Sequence, residues 1–378
     1  MQTLVISDKF KGSMTSAEAG NAIKQGILGV RPDTKVIALP IADGGEGTVE
    51  SLVAGCGGDF HEIEVTGPLG RPTLARFGTL DNGSGIVETA AAIGLDLVPT
   101  DRRQPLTAMS HGAGQLIHAC LDKGCRKIFV GLGGSATVDL GIGMTSALGG
   151  RFLDAQGRRI PEIGRELYRL AHIDLSRLDP RLSHKKNVTI IGLYDVTHTL
   201  LSGVLTFAPQ KGANENDLKL LRRNTIHAAT IIRDFYPDVE MIVGGGAAGG
   251  LGAGLVSFLN GSLVPGAKTI FDLINLREQI RHADLIITGE GSIDMTSVSG
   301  KAISGLMDLV REQPRSIPII GFAGSFQPDA VQTLGLDAAY AIAPPSMSIT
   351  DAKDRGAELL QAAVSNLFTI QYPFRGKR

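Results

Sequence analysis

Tryptophan is absent from the 378 residues, aromatic residues make up only 5%, and there are three cysteines. Cys56, Cys120 and Cys125 are an odd set without CxxC spacing, which points to a reducing compartment and excludes a recognisable zinc site. Charge of either sign is not in surplus. Lys and Arg number 37 against 38 Asp and Glu, a net charge of −1. That leaves no basic field to attract nucleic acid or an anionic membrane. No apolar run reaches the ~18 residues that span a bilayer. The opening "MQTLVISDKF" lacks the basic region of a signal peptide. Common nucleotide fingerprints are missing as well. There is no GxxxxGK followed by Ser or Thr, "GLGAG" lacks the GxGxxG spacing, and the histidines form no HExxH pair. With 43% hydrophobic and 20% charged residues, the chain has the composition of a soluble globular protein. The expectation is a cytoplasmic α/β enzyme.

Glycine is what the chain has in excess, with 49 residues gathered in loops. They lack the three-residue period of collagen. In "IADGGEGT", residues 41–48, an aspartate and a glutamate stand among three glycines. Glycine costs folding entropy and fills no core, so the stretch asks for a reason other than packing. "TKVIALP" before it reads as a strand, and "TVESLVAG" after it as a helix start. Such strand-to-helix loops lie at the carboxyl ends of strands, where open α/β sheets bind ligands. Free N–H groups at a helix start favour an anion. Two carboxylates beside an anion make sense with a metal ion between them.

"TLVISD" (3–8) begins a β-α-β-α series whose first helix opens on a Thr15–Glu18 capping box. This rhythm signals a parallel sheet. From "HEIEVTGPLGRPTLARFGTL" the chain alternates and turns, a meander foreign to a doubly wound sheet, which places a boundary near residue 60. "RKIFVGLGG" (126–134) and "NVTIIGLYD" (187–195) read as further strands. From 214, Leu218, Leu221, Ala228, Ile232 and Phe235 fall at helical spacing on one buried face. "ADLIITGEG", "IPIIGFAGS" and "DAAYAIAP" restore the strand–helix rhythm at the end. The two chain ends are therefore expected to share one parallel sheet, residues 1–60 with 280–378, with 61–279 inserted as a second α/β domain.

Six glycine loops carry charges within or beside them: "SDKFKGS", "ADGGEGT", "GLGGSATVDLGIG", "APQKGA", "GGGAAGGLGAG" and "TGEGSIDMTSVSGK". Each alone has a plain structural explanation. Glycines 244–254 could be a close-packed helix, Lys211 a solvated turn lysine, and Asp294 a helix cap. Together they match the needs of phosphoryl transfer: backbone N–H cradles, lysines, carboxylates for Mg²⁺, and an aspartate to accept a hydroxyl proton.

"IADGGEGTVESLVA", "VTGPLGRP", "GLGGSATVDLGIGM", "PQKGA", "GGGAAGGLGAGL" and "ITGEGSIDMTSVSGK" resemble, in order and over nearly the whole chain, the bacterial glycerate kinase family that includes the glycerate 2-kinases. The resemblance implies ATP- and Mg²⁺-dependent phosphorylation of D-glycerate, usually to 2-phosphoglycerate. It also implies two α/β domains, one flavodoxin-like and discontinuous. The chain departs from the family pattern at Lys9, Val138, Leu140, Tyr194, His198, Thr199, Ser292 and Thr296. It keeps Asp8, Lys11, Asp43, Glu46, Asp139, Asp195, Lys211, Glu290, Asp294 and Lys301. On this reading Asp43 and Glu46 hold Mg²⁺, and Gly44, Gly45, Gly133, Gly134, Ser135, Gly249, Gly250 and Gly252 cradle the cofactor's phosphates. Lys11, Lys211 and Lys301 meet phosphates or the substrate carboxylate, and Asp195 or Asp294 accepts the hydroxyl proton, Asp294 being preferred. The rivals are a kinase of another small hydroxy acid and a non-catalytic ligand-binding regulator. No nucleic acid or membrane partner is expected, and the oligomeric state is left open.

Overall fold

Short β-branched and apolar runs, each ending at a polar or glycine-rich loop, form most of the strands. The computed structural model describes residues 1–182, 188–299 and 302–370. They divide into two compact units. The first comprises Met1–Ala42, Glu50–Gly55 and the chain from Ile270 onward, and the second Asp43–Val49 and Cys56–Thr269. The strands are β1 (Gln2–Ser7), β2 (Lys35–Pro40), β3 (Gly58–Thr66), β4 (Pro72–Leu80), β5 (Ser84–Glu88), β6 (Lys127–Gly131), β7 (Arg151–Leu153), β8 (His172–Asp174), β9 (Thr189–Tyr194), β10 (Ser262–Pro265), β11 (Leu285–Ile293), β12 (Ile319–Phe326) and β13 (Ala338–Ala341).

The first unit is one sheet in the order β13-β12-β11-β1-β2, parallel throughout. Counted along the unit, that is the 2-1-3-4-5 order of flavodoxin-like folds. Thr3 pairs with Leu285 and Ser7 with Gly289, so the two ends of the chain share a sheet. Val5, Leu285, Ile287 and Phe322 are buried in a core with Ile23 and Ile27 of the helix Ser16–Val30. That helix starts on the expected capping box: Thr15 accepts from Glu18 N, and the Glu18 side chain accepts from Thr15 N.

The second unit holds a mixed sheet in the order β10-β9-β6-β5-β4-β3. Antiparallel pairs join β3–β4 and β4–β5, and parallel pairs join β5–β6, β6–β9 and β9–β10. The meander thus belongs to this second sheet. β7 and β8 make a separate two-stranded ribbon. The helix Glu215–Ile232 buries Leu221, Ala228 and Ile232 as its spacing predicts. Phe235 does not extend that face. The helix ends at Ile232, and Phe235 lies past it at 41% exposure.

Candidate functional site

In the second unit β5, β6 and β9 run parallel, so their carboxyl ends present Glu88, the 131–135 loop and Asp195 from one edge of the sheet. The 43–47 loop packs onto this edge. Gly133 N donates to Gly44 O (3.3 Å), Leu132 N to Leu193 O (3.1 Å), and Val49 N to Glu88 Oε1 (2.7 Å). A Cβ on Gly44 would stand 2.9 Å from Leu193 O, and one on Gly133 only 2.6 Å from Gly45 Cα. The expectation discounted packing as the reason for these glycines. The structure restores it, because two backbones meet here with no room for side chains. Asp43 is half-buried and its Oδ1 accepts from Gly45 N (3.2 Å), while Glu46 is exposed.

The loop after β6 is tied at its flanks. Gly134 O accepts from Leu95 N and Ala136 N donates to Ile93 O, both at 2.8 Å. The N–H groups of the buried residues Ser135, Thr137, Val138 and Asp139, and of exposed Gly134, meet no acceptor among the described residues. Ser135 is 3% exposed and Thr137 fully buried, and Thr137 Oγ1 also lacks a partner. Folded proteins pair more than about 90% of buried backbone groups. Buried donors left over in one glycine loop are groups that an anionic acceptor would satisfy.

Lys211 is 3% exposed. Its Nζ donates to Ser135 Oγ (3.0 Å) and Thr137 O (2.8 Å), and it forms no ion pair among the described residues. Burial pushes the ammonium down to about 7, partly opposed by the charge of Asp139. The sequence pattern expects Lys211 to meet a phosphate or the substrate carboxylate; among the described residues its hydrogen bonds go to the loop itself. Asp139 is fully buried and accepts from Ser110 N (2.8 Å) and Gly141 N (3.1 Å). It thereby ties together the starts of the helices His111–Asp122 and Ile142–Ala147, where a carboxylate is favoured. Burial nevertheless raises its carboxyl to about 6.

Gly249, Gly250 and Gly252 face protein. The helix Ala247–Leu259 is broken at Ala248, Gly249 and Gly250, whose φ values are 51°, 69° and 90°. A Cβ on Gly249 would lie 1.9 Å from Thr137 O, and one on Gly252 2.5 Å from Gly244 O. Leu140 N donates to Gly249 O (3.2 Å). Leu140, where the family resemblance expects glycine, sits at φ 57° while fully buried, so this chain accepts backbone strain there. Two further departures are nearby. Tyr194 packs on Gly244, and His198 Nδ1 is buried without a partner.

Asp294, Glu290 and Lys11 belong to the first unit. Asp294 Oδ1 accepts from Thr296 N (2.8 Å) and Thr296 Oγ1 (2.5 Å), and Oδ2 accepts from Ser292 Oγ (3.3 Å). It thus serves the start of the short helix Met295–Ser299. The Thr296 hydroxyl holds its carboxyl below the usual range. Glu290 behaves oppositely. Its Oε1 is buried without a partner, and burial, with Asp8 and Asp294 adding, raises its carboxyl to about 7. Lys11 is exposed in the turn after β1. Lys301 lies outside the described residues.

All three cysteines are free. Among the described residues no helix is long and apolar enough to cross a membrane, and no three His, Cys, Asp or Glu side chains gather as metal ligands.

The chain matches the model of the glycerate kinase family over residues 3–371. It is 39% identical to a glycerate kinase of Halalkalibacterium halodurans over 98% of each chain. It is 40% identical to the glycerate 2-kinase of Escherichia coli over 94% of each. A crystal structure from Salmonella typhimurium LT2, described provisionally as glycerate kinase 2, superposes with a TM-score of 0.84 at 39% identity, over 98% of both chains. With its flavodoxin-like sheet and these relatives, the chain belongs to the glycerate kinase family and is a kinase.

Proposed function

We propose that this kinase transfers a phosphoryl group from ATP to D-glycerate in the cytoplasm, giving 2-phosphoglycerate. The observation that carries the reading is the loop after β6, whose buried donors at Ser135 and Thr137 meet no acceptor among the described residues. A phosphate oxygen supplies what they lack. The relatives' names support the acceptor, and the Escherichia coli relative is named for the 2-position.

Mg²⁺ fits the donor set beside this loop. Asp43 presents a hard carboxylate with Oδ2 uncommitted to any bond among the described residues, and Glu46 stands in the same loop. Mg²⁺ takes one or two carboxylates, completing its shell with waters and phosphate oxygens, so a larger protein cage is not required. When bound, the ion supplies charge neutralisation on the transferring phosphate. The backbone of Gly44, Gly45, Gly133 and Gly134 with Ser135 holds the phosphates, while Gly249, Gly250 and Gly252 shape the wall behind Thr137. Asp195, at the carboxyl end of β9, accepts the hydroxyl proton in preference to Asp294, whose carboxylate is committed to its own helix.

An assay with D-glycerate, ATP and Mg²⁺ that separates 2- from 3-phosphoglycerate tests this. Turnover to 2-phosphoglycerate is expected. Turnover only with another hydroxy acid would favour a shifted substrate, to which the departures at Tyr194, His198 and Ser292 would then be relevant. No turnover with any would favour a ligand-binding regulator.

A further inference from the structure

Lys211 is the most deeply buried ammonium of the second unit's site, and its position there is unusual. A lysine is almost never fully buried unless paired. Lys211 is 3% exposed, its two hydrogen bonds go to the neutral acceptors Ser135 Oγ and Thr137 O, and no carboxylate among the described residues forms an ion pair with it. An isolated buried charge is costly. Both acceptors belong to the residues whose N–H groups lack a partner. The same Thr137 carbonyl is where a Cβ on Gly249 would collide, at 1.9 Å. Three separate segments, the turn Pro209–Lys211, the loop after β6 and the broken start of the helix Ala247–Leu259, therefore converge on one carbonyl.

Resting on the phosphate-loop reading above, we infer that Lys211 is a positioning residue: it holds Ser135 and Thr137 in the shape that receives a tetrahedral anion, and that anion, not a protein carboxylate, neutralises its charge. Anion binding and the protonation of Lys211 are then linked. The charged form is favoured when the loop is occupied, so the protein takes up a proton as it binds, and affinity weakens as the empty site loses its charge above about pH 7. The other charged groups facing this turn are few. Asp139 titrates near 6 with Glu162 beyond it, and Glu162 pairs with His111. Arg103 packs on Gly212. Above pH 7 Asp139 is already ionised, and the linkage reports Lys211.

Sulfate is a suitable probe because it is fully ionised across this range. The test is titration calorimetry of the full chain with sulfate between pH 7 and 9, in two buffers of different ionisation enthalpy, alongside the nucleotide KM. Wild type should bind sulfate with proton uptake, and its affinity should fall about tenfold or more between pH 7 and 9. Lys211→Met should weaken sulfate binding and raise the nucleotide KM by about tenfold or more, with proton uptake abolished. Lys211→Arg should restore part of the affinity while losing the pH step, since a guanidinium keeps its charge. Sulfate affinity independent of pH in wild type, with no proton uptake, overturns the inference, as does Lys211→Met binding as tightly as wild type. Should Lys211→Met not fold, the wild-type calorimetry decides alone. Gly134→Ala separates this inference from the reading beneath it. If that folded variant binds sulfate like wild type, or wild type binds none, the loop is not the anion site and both fall. If Gly134→Ala abolishes binding but wild type shows no proton uptake, only the role of Lys211 falls.

Discussion

The 290–299 segment of the first unit and the 131–141 segment of the second are both glycine-containing, both include the carboxyl end of a central parallel strand, and both carry acids and hydroxyls. Apart from Glu290, whose Oε1 is buried without a partner, their polar groups are handled in opposite ways. After β11, Asp294 is exposed to its own neighbours Ser292 and Thr296 and bonds to both. After β6, Ser135, Thr137, Val138 and Asp139 are buried, and their N–H groups meet no acceptor among the described residues. Polar groups that close on one another are stable without a ligand. Polar groups buried and left incomplete cost stability that a ligand returns. The contrast supports the proposal that the second segment holds the anion, while Asp294 makes the bonds of a helix cap.

Exchanging the proton acceptor puts the most strain on this comparison. Asp195→Asn should lower kcat by about 10²- to 10⁴-fold, while Asp294→Asn should stay within about threefold of wild type because asparagine caps a helix as well as aspartate. Steady-state kinetics on the two variants decide it, and the reverse order would return the catalytic role to Asp294. Asp43→Asn comes next, with turnover lowered about a hundredfold, an unchanged melting temperature and partial recovery in excess Mg²⁺. Normal turnover with a lower melting temperature would make Asp43 a structural residue of its loop.

Leu140→Gly sharpens the comparison through stability. Relief of left-handed strain returns about 1–2 kcal/mol, but emptying a buried leucine site costs about 2–5 kcal/mol. The variant should be destabilised by the difference, read as a lower urea midpoint. A stabilised variant would mean that strain outweighs packing there. The smallest expected effect is on pH dependence. The Asp139 carboxyl is raised from 3.8 to about 6 on folding. Between those values the folded chain holds a proton that the unfolded chain has released. Stability from this group is therefore full below about pH 4 and is lost as pH rises through 6. Urea midpoints of Asp139→Asn should show a flatter profile across that window than wild type. An identical profile would place the titration elsewhere.

Strand spans, the Thr15–Glu18 cap and the pairing of β1 with β11 were legible because they depend on local pattern and on the few topologies that join two chain ends in one parallel sheet. The site was legible as a set of loops but not as a geometry. Lysine in a short turn ordinarily points to solvent, and nothing in "PQKGA" says that helix and loop will close over Lys211. Unmet N–H groups at Ser135 and Thr137 exist only once the flanking bonds to Ile93 and Leu95 are made. Leu140 did carry a signal: a bulky residue in a glycine position marks a positive φ that the fold keeps. Phe235 was misplaced because helical spacing continues on paper past the residue where the helix stops.

The pairing of Thr3 with Leu285 also sets an order of events during synthesis. A ribosome adding about 5–20 residues per second needs roughly 15–60 s to travel from one to the other. Through that interval β1 and β2 have each other but not β11, and one long hydrogen-bonding edge of β1 stands open. All strands of the second sheet are made before it is filled. A nascent chain released before Leu285 would carry the inserted unit complete beside an apolar strand edge with no native partner, the kind of surface on which chains join one another.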